Sequence, residues 1–103
     1  MKRSVITYVF KVGSRDEWHS KVVAFIAALD SEPDLKGRIA YRCLKERDSD
    51  RYYHLASAVD DEAVRALQAK PFFREYQAET RRVGGGEVQV IGLDEIAGTK
   101  FRD

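Results

Sequence analysis

The sequence predicts an α+β fold in which four strands and two helices follow one another in the order βαββαβ. Three observations support this prediction. Residues 5–12 are rich in β-branched and aromatic side chains, apolar side chains recur at helical spacing from Trp18 to Leu29, and a short turn at residues 48–50 separates two more strand-like runs. The length of 103 residues is typical of one domain, residues 1–103.

The first strand and the first helix have clear sequence signals. Residues 5–12 read VITYVFKV, a composition that favours a strand, and Gly13 ends it. Ser14 and Glu17 then have the spacing of a capping box, in which each side chain satisfies the free backbone N–H of the other residue. Proline disfavours helix in the residue before it, so Pro33 predicts the end of the helix. The predicted buried stripe of this helix consists of Trp18, Val22, Phe25, Ile26 and Leu29.

A hairpin is predicted next, with strands at residues 38–47 and 51–59 joined by the turn at 48–50. Side chains alternate between the two faces of a strand. Ile39, Tyr41 and Cys43 therefore share one face of the first hairpin strand, and Ala40, Arg42 and Leu44 share the other.

The second helix starts at an acidic pair and contains a proline. Asp60 or Asp61 can cap its N-terminus, where negative charge is favourable. Pro71 predicts a kink or a break. Glycines at 84–86 end the helix, and a fourth strand is predicted over residues 87–96.

This order predicts the ferredoxin-like arrangement. Right-handed crossovers place both helices on one face of a four-stranded antiparallel sheet. The other face should then be polar, yet the first and fourth strands carry apolar side chains on both faces. On the fourth strand, Val88 and Val90 lie on one face and Ile91 and Leu93 on the other. A monomer rarely exposes such a surface, so we expect a homodimer in which a second copy covers it. The alternative is that these aliphatic side chains simply remain exposed.

The composition argues against several classes of partner. The chain has 18 basic and 17 acidic residues and a net charge of +1, which gives no general attraction to nucleic acid or to an anionic membrane. The third strand, which begins RYYHLA at Arg51, lacks the glycine and aromatic pattern of RNA-recognition domains. We see no signal peptide and no membrane-spanning run. No nucleic-acid or membrane partner is expected.

The single cysteine, Cys43, cannot form an internal disulfide, and with two histidines the chain cannot build a zinc cluster around it. A reducing compartment and cytoplasmic localisation are therefore expected. No metal site is predicted.

Residues 31–75 resemble the antibiotic biosynthesis monooxygenase (ABM) superfamily, whose members are dimeric α+β barrels. The resemblance extends over nearly the whole chain through the order of its elements. The residues that carry it are the Glu32-Pro33 turn, the Gly37-x-x-x-Tyr41 strand start, the acidic helix start at Asp60-Asp61-Glu62-Ala63, and the Ala69-Lys70-Pro71-Phe72-Phe73 helix break.

The resemblance implies a barrel made by two sheets, with a small-molecule cavity between helices and sheet in each protomer. Members include cofactor-free oxygenases that act on quinols or polyketide phenols, haem-degrading enzymes and proteins of unknown activity. Haem-degrading members use an asparagine on the first strand and a tryptophan and a histidine on the second helix. This chain has no asparagine, its only tryptophan is Trp18 on the first helix, and its second helix has no histidine, so haem degradation is disfavoured.

Many quinol-oxygenase-like members also carry a histidine just before the proline break, where this chain reads ALQA at residues 66–69. Two functions therefore stay open. The first is a cofactor-independent monooxygenase that acts on an aromatic or quinol-type small molecule. The alternative is a non-catalytic dimeric module with a binding or structural role.

His54 is the candidate catalytic residue, because histidine can accept and return a proton near neutral pH. The alternative is a strand histidine that is bonded to a neighbour or faces the dimer seam. Aromatic side chains from several elements could line a pocket for a flat ligand, although plain core packing would explain them equally well. These candidate ligand-binding residues are Tyr8, Phe10, Trp18, Tyr41, Phe72, Phe73 and Tyr76.

Arg42 completes the candidate site, because it could bind an anionic group or form a salt bridge at an edge or interface. Arg81 and Arg82 near the end of the second helix suit its dipole and need no ligand. Cys43 has no activating neighbour in sequence, so we expect an unreactive thiol.

Overall fold

The computed structural model describes all 103 residues. Four strands and three helices follow one another along the chain, and the predicted order is confirmed, with the second helix divided in two. The elements are β1 (Lys2–Val9), α1 (Arg15–Ser31), β2 (Ile39–Lys45), β3 (Arg51–Ala58), α2 (Asp61–Gln68), α3 (Pro71–Val83) and β4 (Gln89–Leu93).

The strands form one antiparallel sheet in the order β2-β3-β1-β4, which is the ferredoxin-like α+β arrangement. In its central row, Ile6 of β1 lies opposite His54 of β3 and Val90 of β4. Cys43 of β2 lies opposite His54 on the other side. Side chains in one row point to the same face, so this register sets which residues meet beneath the helices.

Helix α1 begins where the capping signal predicts. The N–H of Glu17 donates to the Ser14 hydroxyl at 3.3 Å, which satisfies one of the free N–H groups of the first turn. The stripe at helical spacing turns four side chains into the core. Each contributes roughly 1.5–3 kcal/mol by leaving water. These buried side chains are Trp18, Val22, Phe25 and Leu29.

Pro71 breaks the second helix completely. It occupies the first turn of α3, where its missing N–H costs nothing because no helical acceptor is available there. Helix α2 is capped at its other end by Asp60, whose carboxylate accepts the Ala63 N–H at 2.8 Å.

Two strands have other boundaries than those predicted. Strand β1 ends at Val9 rather than at residue 12, because the Phe10 N–H donates to the carbonyl of Asp50 and the Lys11 N–H to the carbonyl of Val83. Strand β4 spans only Gln89–Leu93 instead of residues 87–96. The chain first has to turn through Gly85 and Gly86, both at positive φ, before it reaches the sheet.

The face of the sheet that the helices leave open carries apolar side chains. Leu55 on β3 is 41% exposed, and Ile91 and Leu93 on β4 are 46% and 45% exposed. Leu44 on β2 is also exposed. We refer to these four leucine and isoleucine side chains as the outer apolar face. No helix is both long enough and apolar enough to cross a membrane.

Candidate functional site

A chain of buried hydrogen bonds runs through the core from α1 to β3. The indole Nε1–H of Trp18 donates to the Tyr8 hydroxyl at 2.8 Å, and that hydroxyl lies 2.7 Å from Nε2 of His54. All three side chains are at most 1% exposed. The tryptophan, the tyrosine and the histidine are thus held as one polar unit in an apolar core.

Two more tyrosines contact the other ring nitrogen of His54. The Tyr41 hydroxyl lies 2.5 Å from Nδ1, and the Tyr76 hydroxyl lies 3.1 Å from it. The two hydroxyls are 3.0 Å apart. His54 therefore has hydroxyl partners on both nitrogens.

Five elements bring these side chains together. Strand alternation turns Tyr8, Tyr41 and His54 to the face that the helices cover. Helix α1 supplies Trp18, and α3 supplies Tyr76, whose ring stacks on Phe25 of α1 at a centroid distance of 3.8 Å. The packed rings hold the hydroxyls in place against His54. We call Trp18, Tyr8, His54, Tyr41 and Tyr76 the core network.

The number of available hydrogens determines which group donates and which accepts in each hydrogen bond of the core network. Indole is only a donor, so the Tyr8 oxygen accepts from Trp18, and the Tyr8 O–H has His54 Nε2 as its one acceptor. Neutral His54 then carries its hydrogen on Nδ1 and donates toward Tyr41 and Tyr76. The opposite tautomer would leave the Tyr8 O–H buried without an acceptor, at a cost of about 1–3 kcal/mol.

With these directions, one phenolic hydrogen of Tyr41 or Tyr76 has no acceptor within the core network. Tyr41 and Tyr76 each carry one O–H, but a single bond joins the two hydroxyls, and Nδ1 is already a donor. One of the two O–H groups therefore points away from the core network and needs an acceptor from outside it.

Burial keeps every member of the core network neutral. It lowers the pKa of His54 from its ordinary 6.5 to about 4, because a charged imidazole would lose its hydration. It raises the pKa of Tyr8, Tyr41 and Tyr76 above that of a free phenol for the same reason. The core network therefore offers hydrogen bonds from neutral groups rather than a charge.

A cavity of about 440 Å³ lies directly beside the core network, between the sheet and helices α2 and α3. Tyr41, Phe73 and Tyr76 form part of its wall. The other apolar side chains of the wall include Ile6, Ile39, Val64, Leu67, Val88 and Val90. An apolar cavity of this size with a few polar groups is typical of small-molecule sites.

The other sequence-predicted residues lie outside the cavity wall. His54, Tyr8 and Trp18 stand behind the tyrosine pair, and His54 is 0% exposed. Phe10 and Phe72 pack against the hydrophobic core instead. The structure thus places His54 where it can reach a ligand only through Tyr41 and Tyr76.

Arg42 lies on the opposite face of the sheet, because it alternates with Tyr41 and Cys43 along β2. Its guanidinium pairs with the Asp103 carboxylate at 3.1 Å. Arg42 is therefore not a residue of this cavity. Cys43 is partly buried, and burial raises the pKa of its thiol to about 11, which suits an unreactive thiol.

Sequence reasoning missed the charged and polar side chains of the cavity. Arg81 on α3 lines it, as do Lys2 and Arg3 at the start of β1 and Gln77 on α3. The spacing of Phe73, Gln77 and Thr80 at i, i+4 and i+7 was the available signal for the cavity-facing side of α3. No group of His, Cys, Asp and Glu side chains is arranged to hold a metal ion.

No family model matches the sequence, and no curated protein matches it significantly. Solved structures resemble the whole chain, however. One is a provisionally assigned antibiotic biosynthesis monooxygenase from Deinococcus radiodurans, with a TM-score of 0.75, 10% identity and 100% coverage of both chains. Another is SnoaB, a cofactor-independent oxygenase from Streptomyces nogalater, with a TM-score of 0.73, 20% identity and coverage of 97% and 98%.

A third similar structure is a dimeric ferredoxin-like protein of unknown function from Jannaschia sp. CCS1, with a TM-score of 0.70 and 16% identity. It covers 92% of this chain and is itself covered completely. At such identities the likeness concerns the fold. The chain therefore shares, over its whole length, the fold of the antibiotic biosynthesis monooxygenase structures.

Proposed function

We propose that residues 1–103 act as one ABM-like domain that oxygenates an aromatic or quinol-type small molecule without a cofactor. The substrate binds in the cavity between the sheet and helices α2 and α3. The observation that carries this proposal is that Tyr41 and Tyr76, which have one O–H without an acceptor in the core network, both line an apolar cavity of about 440 Å³.

The tyrosine pair suits a substrate with a phenolic or enolic oxygen. Such an oxygen supplies the acceptor that the pair lacks, and it accepts more strongly once it is ionised. In an apolar cavity, a donor aimed at a developing oxyanion stabilises it far more than it would in water. Tyr41 and Tyr76 would therefore favour the oxyanion form of the bound substrate.

That form can react with molecular oxygen without a cofactor. In the overall reaction, a ring methylene group, which a phenol has in its keto tautomer, and one molecule of oxygen give a ring ketone and one molecule of water. The ring carbon supplies all four electrons, and the two oxygen atoms end in the ketone and in the water. The substrate first loses a proton to become an enolate or phenolate, which is the electron-rich species that oxygen oxidises. The proton leaves to solvent, and solvent returns protons when water forms.

His54 has a positioning role in this proposal. Its pKa of about 4 makes it a poor base at neutral pH, and it does not contact the cavity. Its Nδ1–H donates toward Tyr41 and Tyr76, which directs a phenolic hydrogen into the cavity. His54 thus acts through the tyrosines.

Oxygen uptake tests the proposal. Purified protein is incubated with anthrone, naphthols and hydroquinones, and oxygen consumption and the ketone or quinone product are measured. We expect turnover with at least one member of this panel, and a large loss in a Tyr41→Phe, Tyr76→Phe double variant. Tyr53→Phe on β3 is the matched control, because Tyr53 bonds Glu46 away from the cavity. Silence across the panel, or equal rates in both variants, would contradict the proposal.

A non-catalytic binding module is the second candidate. No histidine lines the cavity, and burial raises the pKa of both cavity-facing tyrosines, so no group there is tuned for proton transfer near neutral pH. Tight binding of a panel member without oxygen uptake would favour this candidate. Turnover that depends on Tyr41 and Tyr76 would exclude it.

We also propose that the protein is a homodimer in which the outer apolar faces of two copies pack together. Leu44, Leu55, Ile91 and Leu93 would otherwise stay partly in water. The similar structure from Jannaschia sp. CCS1 is a dimeric ferredoxin-like protein, which supports a dimer for this fold. The cavity lies on the opposite side of the sheet, so such a dimer would leave it accessible.

A further inference from the structure

The cavity has a positive edge that the proposed oxygenase chemistry does not use. Lys2, Arg3 and Arg81 all line it, whereas Asp61 is its only carboxylate. Lys2 pairs with Asp61 at 3.5 Å, and Arg3 pairs with Glu95 at 3.6 Å. Each of these two cations thus has its own counter-charge.

Arg81 has none. No Asp or Glu carboxylate lies within salt-bridge distance of its guanidinium, although the neighbouring Arg82 pairs with Glu79 at 2.6 Å. Arg81 and Arg82 are adjacent and both exposed, so their position near the end of α3 does not explain the difference. The two side chains point in different directions, because only Arg81 lines the cavity.

Arg81 and Tyr76 lie on opposite sides of the face that α3 turns to the cavity. At 3.6 residues per turn, five positions separate the two side chains by about 140° around the helix and by about 7.5 Å along it. Tyr76 is buried toward the core network, whereas Arg81 is exposed. The cavity therefore has a hydroxyl at its inner end, apolar walls, and an unpaired cation at its outer edge.

We infer that the cavity selects aromatic molecules that carry a carboxylate, with the ring oxygen at Tyr41 and Tyr76 and the carboxylate at Arg81. This inference rests on the proposed function, because it names the substrate class of the same site. The guanidinium fork of arginine matches the two oxygens of a carboxylate and can bind them with two parallel hydrogen bonds.

Three naphthalene probes test the inference by equilibrium binding. 6-Hydroxy-2-naphthoate carries a hydroxyl and a carboxylate at opposite ends of two fused rings. Its methyl ester keeps the rings and the hydroxyl without the charge, and 2-naphthol lacks the carboxyl group altogether. Quenching of Trp18, the only tryptophan, reports binding because its indole is bonded to the Tyr8 end of the core network. Calorimetry provides an independent measure.

We expect wild-type protein to bind the naphthoate about tenfold more tightly than the ester. Arg81→Gln should remove that preference and leave the affinity for the ester and for 2-naphthol unchanged. Arg82→Gln is the matched control and should keep the full preference, since Arg82 bonds Glu79 outside the cavity. Added salt should weaken binding of the naphthoate more than binding of the ester.

Equal affinity of wild-type protein for the naphthoate and the ester would overturn the inference and leave the proposed function standing. A preference for the naphthoate over the ester that persists in Arg81→Gln would have the same consequence. A preference that depends on Arg81, without oxygen uptake from any phenol, would support the inference and contradict the oxygenase proposal. If none of the three probes binds, both are contradicted.

Discussion

The Tyr41 hydroxyl lies 2.5 Å from Nδ1 of His54, so a phenol on the cavity wall is bonded to an imidazole that no ligand can reach. This bond connects the buried core network to the cavity. It implies that changes deep in the core should alter what the cavity wall offers to a ligand.

The Tyr8 hydroxyl is predicted to stabilise the fold. Tyr8→Phe leaves the Trp18 Nε1–H and His54 Nε2 buried without their partner, and one unsatisfied buried group costs about 1–3 kcal/mol. We expect urea unfolding to show a loss of at least about 2 kcal/mol. Tyr53→Phe is the control, because Tyr53 bonds Glu46 at the surface, and a loss below about 0.5 kcal/mol is expected there. Equal losses in the two variants would contradict the account of the core network.

The tautomer of His54 is also predicted. Since the Tyr8 O–H needs Nε2 as its acceptor, neutral His54 should carry its hydrogen on Nδ1. Nitrogen-15 chemical shifts of the imidazole distinguish the two forms at neutral pH. A protonated Nε2 in the wild-type protein would show that the hydrogen bonds run in the opposite direction. In Tyr8→Phe, which removes this constraint, we expect the Nε2–H form to gain population.

Stability should fall as the pH is lowered through the range that separates the two pKa values of His54. The pKa is about 4 in the folded protein and near its ordinary 6.5 in the unfolded chain, so the unfolded chain binds more protons in between. The contribution of His54 is therefore complete above pH 6.5 and is lost as the pH falls toward 4. It amounts to about 3 kcal/mol at most.

The groups that contact or surround His54 do not titrate in that range. Burial raises the pKa of Tyr8, Tyr41 and Tyr76, and that of Cys43 is about 11. Free energies of unfolding measured from about pH 7 to about pH 4.5 should therefore decline in the wild-type protein and decline less in His54→Gln. Parallel curves for the two proteins would contradict the assignment of this pH dependence to His54.

Strand alternation allowed part of this site to be predicted from the sequence. A period of two places Tyr41 and Cys43 on one face of β2, and the same rule places Ile6 and Tyr8 on one face of β1. The bond from Trp18 to Tyr8 was not predictable, because it depends on how α1 is rotated against the sheet. Nor was the contact of His54 with Tyr76, which joins residues of β3 and α3 whose relative placement only the packed helices determine.

Arg81 is a second residue whose place in the cavity could not be predicted from the sequence. Its place near the end of α3 was explained locally by the helix dipole, and that explanation covers Arg82 equally. Only the orientation of α3 over the sheet separates the two, by turning Arg81 alone toward the cavity. Local rules thus predicted the elements and their faces, whereas the composition of the cavity depended on tertiary packing.

The proposed dimer depends on the outer apolar face. Leu55→Lys places a charge near the middle of that face, on β3, and a charge that must be desolvated on association disfavours the dimer strongly. Analytical ultracentrifugation should show a dimer for the wild-type protein and a monomer for Leu55→Lys. Val23→Lys is the control, because Val23 is an exposed residue of α1 on the other side of the sheet. A wild-type monomer, or dissociation in both variants, would contradict the proposed interface.

The tyrosine pair is proposed to hold the oxygen of an aromatic ligand in the cavity. Anaerobic binding of 2-naphthol and of naphthalene, which lacks the hydroxyl, tests it most directly, because binding is then measured without turnover. We predict that wild-type protein binds 2-naphthol several-fold more tightly, and that the Tyr41→Phe, Tyr76→Phe double variant binds the two ligands equally. A preference for 2-naphthol that persists in the double variant, or its absence from the wild-type protein, would contradict the claim.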